Sequence, residues 1–231
     1  MCAVDLFPFL SSLQLADAAF PNGRYALSHG LEAYASAGWL SESNLAPLLS
    51  DLLRFGAGPA DGAALANAHR AVQAHELDRA AQADLRLTAT KLTREARVAS
   101  IRTGKQLLKL AESLFEHPLL AAYTDRVQAR DLPGNHAVAV GVVQASLGIP
   151  REHALAGELY AFCAGCAGAA VRLAVIDHRA AQRLLHALKP AIAKTVDETI
   201  GKEVHEIASN LPLVDVMALR HERADARLFM T

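Results

Sequence analysis

Cysteine is scarce in this chain: three among 231 residues, at positions 2, 163 and 166. An odd number in a chain of this length does not read as a disulfide framework and points to a reducing compartment. Aromatic residues make up only 5%, and the strand-favouring residues never alternate cleanly with polar ones, so the signal for a sheet is missing. The formal net charge is −1, which gives no global field for nucleic acid or an anionic membrane. The opening residues carry an early acid and no basic run, unlike a secretory leader. No stretch approaches the roughly 18–20 uninterrupted apolar residues that span a bilayer. The longest apolar tract, 161–176, is interrupted by Gly165, Gly168 and Arg172. Together these absences point to a cytoplasmic chain that binds neither membrane nor nucleic acid.

Signatures of the common hydrolases are also missing. Gly104-Lys105 has Ala99 where a phosphate loop needs an upstream glycine, and Gln106 where it needs Ser or Thr. No H-E-x-x-H and no G-x-S-x-G occurs, and neither His205-Glu206 nor His221-Glu222 is followed by a second histidine at the required offset. The ten histidines are scattered, with no two spaced three or four apart, so no helix offers a ready pair of metal ligands. The sequence therefore predicts no catalytic centre, no resident cofactor and no permanent metal site.

What is present is alanine and leucine, within a composition 52% hydrophobic and 20% charged. That balance supports a sizeable core and favours helices throughout. Nine prolines punctuate the chain into segments of helical length, about ten in all. The expectation is an all-α, single-domain bundle over residues 1–231 without significant sheet, closing in a partner-binding tail at about 212–231. Ser41 is a candidate N-cap for a helix through Arg54. The run Gly56-Ala57-Gly58-Pro59 reads as a break, with Asp61 capping the next helix. From Arg94 to Phe115, residues Val98, Ile101, Gly104, Leu108, Ala111 and Phe115 fall on one face, as do Leu155, Leu159, Phe162, Cys166, Ala170 and Leu173 in the helix from Arg151 to Ile176.

Away from that second stripe lie Glu158, Ala161, Gly165, Gly168 and Arg172. Each glycine inside a helix costs about 1 kcal/mol relative to alanine, so two on one face suggest a close approach. Two readings stand: a tight helix crossing within the fold, or a close-packed protein interface anchored by Arg172. Cys163 and Cys166 form a lone C-x-x-C in mid-helix. They read as small core residues in preference to a redox pair, which would sit at a helix start; Cys2 reads as frayed and without a role. Between Lys91 and Lys109 the chain is basic, with Arg94, Arg97, Arg102 and Lys105 against the single acid Glu95. Such a run is either a solvated helix face or a surface that steers an acidic protein.

Four stretches, in order and covering nearly the whole chain, resemble the UreF family of urease accessory proteins. The first runs from Leu13-Gln14-Leu15-Ala16-Asp17 through Phe20-Pro21-Asn22-Gly23 to Tyr25, Ser28, Gly30-Leu31-Glu32 and Ala37-Gly38-Trp39. The second is Thr93-Arg94-Glu95 with Ser100, Gly104 and Leu107-Leu108. The third joins His136, Gly141-Val142-Val143, Leu147-Gly148-Ile149, Ala170-Val171-Arg172-Leu173 and Gln182. The fourth is Pro212, Asp215, Met217, Arg220-His221-Glu222 and Arg227-Leu228-Phe229. There are departures: His29 stands where many members have glutamine, and Arg24 where a small or aromatic residue is usual.

The resemblance implies an all-helical, often dimeric protein that bridges the accessory protein UreD (also called UreH) and the GTPase UreG. Those partners together deliver nickel to the urease apoprotein. It implies coupling to the GTPase at Arg172. It also implies UreD contacts along Arg220, His221, Glu222, Arg227, Leu228 and Phe229, and a supporting role for Tyr25, Ser28, Gly30 and Glu32. Two other readings compete: a metal- or thiol-binding helical protein using Cys163 and Cys166, and a generic helical adaptor docking through its basic Lys91–Lys109 helix.

Overall fold

The computed structural model describes residues 6–17, 19–224 and 226–231. Among these the chain forms eleven α-helices and no strand. They are α1 (Leu6–Ala16), α2 (Leu31–Ser36), α3 (Glu42–Leu52), α4 (Ala63–Gln73), α5 (Leu77–Thr90), α6 (Arg94–Leu114), α7 (Pro118–Gln128), α8 (His136–Ser146), α9 (Arg151–Arg172), α10 (His178–Thr199) and α11 (Pro212–His221). The all-helical expectation holds.

α4 and α8 form the centre. Nearly every residue of each is buried, so neither shows an exposed polar face, as expected of helices enclosed on all sides. They cross closely at Gly141, where an added Cβ would lie 2.5 Å from the Leu65 carbonyl oxygen and 3.0 Å from the Ala68 methyl. α9 packs against α8 on one side and α10 on the other, and α5, α6 and α7 close the remaining flanks.

Proline and capping chemistry is largely as read. Ser41 precedes α3, and its backbone N–H donates to Asn44 Oδ1 at 2.9 Å, completing a capping box. Pro118 and Pro212 open α7 and α11 at first-turn positions. The break expected at residues 56–59 is absent. Residues Leu53–Gly62 form a π-helical stretch that carries α3 directly into α4. The glycines are there because neighbours fill the space a side chain would take: Leu211 at Gly56, Thr195 at Gly58, and Leu155 at Gly62, where a Cβ would lie 2.9 Å from its Cδ1. The wider winding leaves carbonyls to be satisfied from outside the helix. Phe55 O accepts from Asn210 N–H at 2.9 Å and Pro59 O from Ala208 N–H at 3.2 Å. Asp61 is accordingly no cap; its carboxylate accepts from Lys91 Nζ at 2.8 Å.

One further reading needs correction. In α6 the buried face is Ala99, Ser100, Thr103, Gly104, Leu107, Leu108 and Ala111, whereas Val98 is 52% exposed. The turn at Gly134-Asn135-His136 presses against Gly104 and rotates the helix toward it. That turn is itself pinned by the buried Asp84, which accepts from Gly134 N–H at 2.7 Å, Asn135 N–H at 2.9 Å and Tyr123 Oη–H at 2.9 Å. By contrast, α9 buries most of the stripe read for it, as expected. By length and apolarity alone it is the one helix among the described residues that could cross a membrane. It sits in the core between α8 and α10, with Leu155, Leu159, Cys163, Cys166 and Ala170 buried.

Candidate functional site

Segments far apart in sequence converge on one face of the molecule. Before α2, His29 and Gly30 take φ of 55° and 88°, a left-handed pair that turns the chain sharply and aims Glu32, in the helix's first turn, inward. α11 and the residues after it return to the same place. Glu32 Oε1 accepts from Leu228 N–H at 2.6 Å, and its Oε2 accepts from Phe229 N–H at 3.0 Å and His221 Nε2 at 2.9 Å. The opposite nitrogen of that imidazole, Nδ1, meets Glu95 Oε2 at 2.7 Å. Both ring nitrogens of His221 thus face a carboxylate. Glu95 also accepts from Arg227 Nη1 at 2.6 Å, while its own N–H donates to Glu222 Oε1 at 3.0 Å.

Two strand-like contacts complete the clasp: Met230 N–H donates to Ala26 O at 2.9 Å, and Ser28 N–H to Thr231 O at 3.1 Å. The tail is thus bound to the body along its length by backbone and carboxylate.

Arg172, the last residue of α9, joins the two ends. Its guanidinium lies 4.0 Å from the Tyr25 ring centroid and 4.4 Å from that of Phe229, and its Nη1 donates to Tyr25 O at 2.6 Å. A cation between two rings gains from both quadrupoles. Tyr25 and Leu228 remain largely exposed beside it, whereas Phe229 is buried.

Of the residues singled out from sequence, Tyr25, Ser28, Gly30, Glu32, Arg172, His221, Glu222, Arg227, Leu228 and Phe229 are therefore neighbours. Arg220 is exposed at the end of α11, outside the clasp. Gly165 and Gly168 lie apart. Among the described residues, a Cβ on either would meet nothing within 4 Å beyond its own helix backbone, so the tight internal crossing is not what these glycines serve. Glu158 does not share their open face. It is turned inward, accepting from Arg24 Nη1 at 2.8 Å, and lies 3.7 Å from His136 Nε2. Burial works against its charge, but the Arg24 guanidinium and His136 hold its carboxyl down at about 2.

The sequence reading passed over Glu95 as a contact residue and treated Arg24 only as a departure. The signal for each was an acid that needs a cation once buried: Glu158 within the apolar α9, answered by Arg24, and Glu95 in the first turn of α6, answered by Arg227 of the tail.

Beneath the clasp lies a cavity of about 220 Å³, bordered by Arg24, His29, His136, Glu158, Phe162 and Thr231 among others. His29 packs edge-on against Phe162 at 4.8 Å between centroids. Burial, then the nearby Arg24 and Lys91, depress its pKa to about 3, so it is neutral at physiological pH. Among the described residues no group of three His, Cys, Asp or Glu side chains converges as a metal site. Cys163 and Cys166 are buried free thiols. Burial pushes Cys163 up to about 12 and Cys166 well above the ordinary thiol range, so neither supplies a thiolate for redox or ligand chemistry. Cys2 lies outside the described residues.

The family model for UreF matches residues 40–189. The chain belongs to the UreF family. Its similarity to curated members extends well beyond the matched region. It is 27% identical to urease accessory protein UreF 2 of Brucella abortus over 221 residues, covering 96% of this chain and 91% of that protein. It is 29% identical to urease accessory protein UreF of Yersinia pseudotuberculosis over 218 residues, covering 94% and 95% of the two chains. The similarity to these UreF proteins therefore extends over nearly the whole chain.

Acid should open this clasp in a defined order. The native pKa of His29 lies below its ordinary value, so the unfolded chain binds the extra proton first. Stability is full above about 6.5 and declines as pH falls toward 3. Burial pushes Glu32 up, but the N–H groups of Leu228 and Phe229 and the His221 ring outweigh it and hold the carboxyl below its usual range. Its contribution is present above pH 4.5 and is lost below it as the carboxylate takes a proton. Thermal midpoints should therefore fall from pH 6.5 downward, and more shallowly in His29→Gln. Amide hydrogen exchange at Leu228 and Phe229, followed at each pH, should stay protected until the Glu32 window. Equal acid sensitivity in His29→Gln would exclude that imidazole as the first group to titrate.

Proposed function

We propose that this UreF-family chain is a non-catalytic scaffold of urease maturation. It would bind the accessory protein UreD (UreH) through its tail and the GTPase UreG through the surface around Arg172. GTP hydrolysis would thereby be coupled to delivery of nickel to the urease apoprotein. It would act in the cytoplasm as one domain and as a homodimer, without a cofactor or metal of its own.

The observation that carries this reading is the placement of Arg172 between Tyr25 and Phe229. A partner that takes hold of the tail must alter the surroundings of Arg172, so two binding events on one face can be read together. A bridging role needs such an element, a single contact set biased from two sides. Support for assembly also comes from α1, where Leu6, Phe7, Phe9, Leu10 and Leu13 are each more than half exposed. Apolar side chains clustered in this way favour burial in a complex. The thiol reading loses ground because both core cysteines are held as neutral thiols.

The test is co-expression with the urease genes and tagged UreD and UreG homologues. A chain ending at Leu219 should lose UreD capture and urease activation. Arg172→Ala should keep UreD capture and lower nickel-dependent urease activation by about tenfold or more, the scale of one anchoring arginine in an interface. Wild-type maturation by Arg172→Ala would remove that residue from the mechanism, and undiminished UreD capture by the shortened chain would remove the tail.

A further inference from the structure

The long helix α6 carries a second feature that the clasp does not use. Arg94, Arg102, Lys105 and Lys109 are all exposed, and none forms an ion pair or side-chain hydrogen bond among the described residues. Arg97, by contrast, folds back to donate to the carbonyls of Lys91 and Leu92 at 2.6 and 2.8 Å. At about 100° per residue the four unpaired cations fall within a sector of about 80°, and at 1.5 Å per residue they extend over about 22 Å. Val98 lies inside the same sector, 52% exposed, and Leu92 stands at its head, 68% exposed.

No acid interrupts the stripe between Arg94 and Lys109. The one acid in that span, Glu95, is turned inward to His221 and Arg227. Glu112, the next along the helix, is turned toward Gln128.

Helix stability does not account for this arrangement. Arg94 and Arg97 sit in the opening turns, where the helix dipole favours acids and disfavours cations. Nor does overall composition, since the chain is net −1. Self-repulsion among four unpaired cations on one face is unfavourable unless an outside group answers it.

We infer that the outer face of α6 is a docking surface for an acidic protein segment, one presenting carboxylates at three- and four-residue spacing. The exposed Val98 and Leu92 decide for a protein over a polyphosphate, because they give an apolar contact that a phosphate backbone cannot match. The stripe is also only one helix wide and carries no aromatic side chain for stacking bases. Its head adjoins the clasp, since Arg94 precedes the residue that holds the tail, so an occupant here would lie alongside whatever engages residues 220–231. The inference does not depend on the urease assignment: it concerns the chemistry of the surface, whichever complex the chain serves.

The probe is a synthetic helical peptide with glutamates at i, i+4, i+7 and i+11, together with its glutamine counterpart. A short RNA duplex and phosphatidylserine vesicles serve as competing surfaces, and binding is measured to the full chain at two salt concentrations. Wild type should bind the glutamate peptide, more weakly at high salt, and leave the glutamine peptide unbound. The triple variant Arg102→Glu, Lys105→Glu, Lys109→Glu should bind about tenfold more weakly or worse, as expected for reversing charges across an interface. A charge-matched triple variant on exposed positions of α10, Arg179→Glu, Arg183→Glu and Lys189→Glu, should stay within about twofold of wild type if position rather than net charge governs binding. Circular dichroism confirms that each variant is folded. The proposal is overturned by any of three results: no binding of the glutamate peptide by wild type, equal losses in the two triple variants, or tighter binding to RNA or vesicles than to peptide.

Discussion

Gly104→Ala should leave little or no folded protein at 37 °C. The added methyl carbon would sit 2.7 Å from Asn135 C and 2.7 Å from His136 N, and closer still to the Gly134 carbonyl oxygen. All three are backbone atoms, so no side chain can swing aside to make room. The turn they belong to is fixed from its other side by Asp84, which grips the N–H groups of Gly134 and Asn135. Accommodating one methyl therefore means moving α6 away from the start of α8, the helix at the centre of the core. Overpacking ordinarily costs 1–3 kcal/mol, and a rigid contact of this kind belongs at or above the top of that range, about 4 kcal/mol. Chemical denaturation of the soluble fraction measures it. A variant within about 1 kcal/mol of wild type would show that this contact relaxes freely. Gly165→Ala in α9 is the natural comparison, because among the described residues nothing beyond its own helix backbone lies within 4 Å of its new methyl group.

Glu32→Ala should release the tail while the helical body stays folded. Three donors lose their acceptor at once: the N–H groups of Leu228 and Phe229, and His221 Nε2. Each buried donor left unsatisfied costs roughly 1–3 kcal/mol, and the His221 ring then faces a single carboxylate. The sum exceeds what the two remaining backbone contacts of residues 230 and 231 can offset. Trypsin should cut after Arg223 and Arg227 at least tenfold faster than in wild type, a factor that about 1.4 kcal/mol already supplies. With the tail free, Phe229 leaves Arg172, so urease activation should fall as it does in Arg172→Ala. Unchanged cleavage would mean that the tail is held chiefly by Arg227 and Glu95. Rapid cleavage with undiminished urease activation would separate the clasp from function.

Much of the helical body could be read from the sequence because its determinants are local. Alanine-rich segments, prolines at first turns and Ser41 before α3 each act within a few residues. What escaped depends on groups distant in the chain. The Gly56–Pro59 run breaks helices by propensity, yet Thr195, Leu155 and Leu211 fill its spaces, and Asn210 and Ala208 satisfy its carbonyls. Tertiary packing overrode propensity there. Val98 looked like core because it kept helical spacing with Ile101 and Leu108, but the pressure on Gly104 sets the rotation of α6.

At the site, the sequence singled out residues that the structure brings together, but not the contacts among them. The tail was read as a surface for another protein, and the structure folds it onto Glu32 and Glu95, contacts nearly two hundred and about one hundred and thirty residues apart in sequence. No local pattern encodes pairings over such a separation. Glu158, assigned to the glycine face, is drawn inward by Arg24, a residue remarked on only for being unusual.

The π-helical stretch has a consequence for how far the tail can travel. Its carbonyls at Phe55 and Pro59 hold residues 208–210, which lead into α11, so the base of the tail is moored to the continuous helical span from Glu42 to Gln73. Opening the clasp therefore frees residues 222–231, a line of about 35 Å when fully extended. Within that radius the free end can sweep a volume far larger than its docked footprint while its root stays fixed.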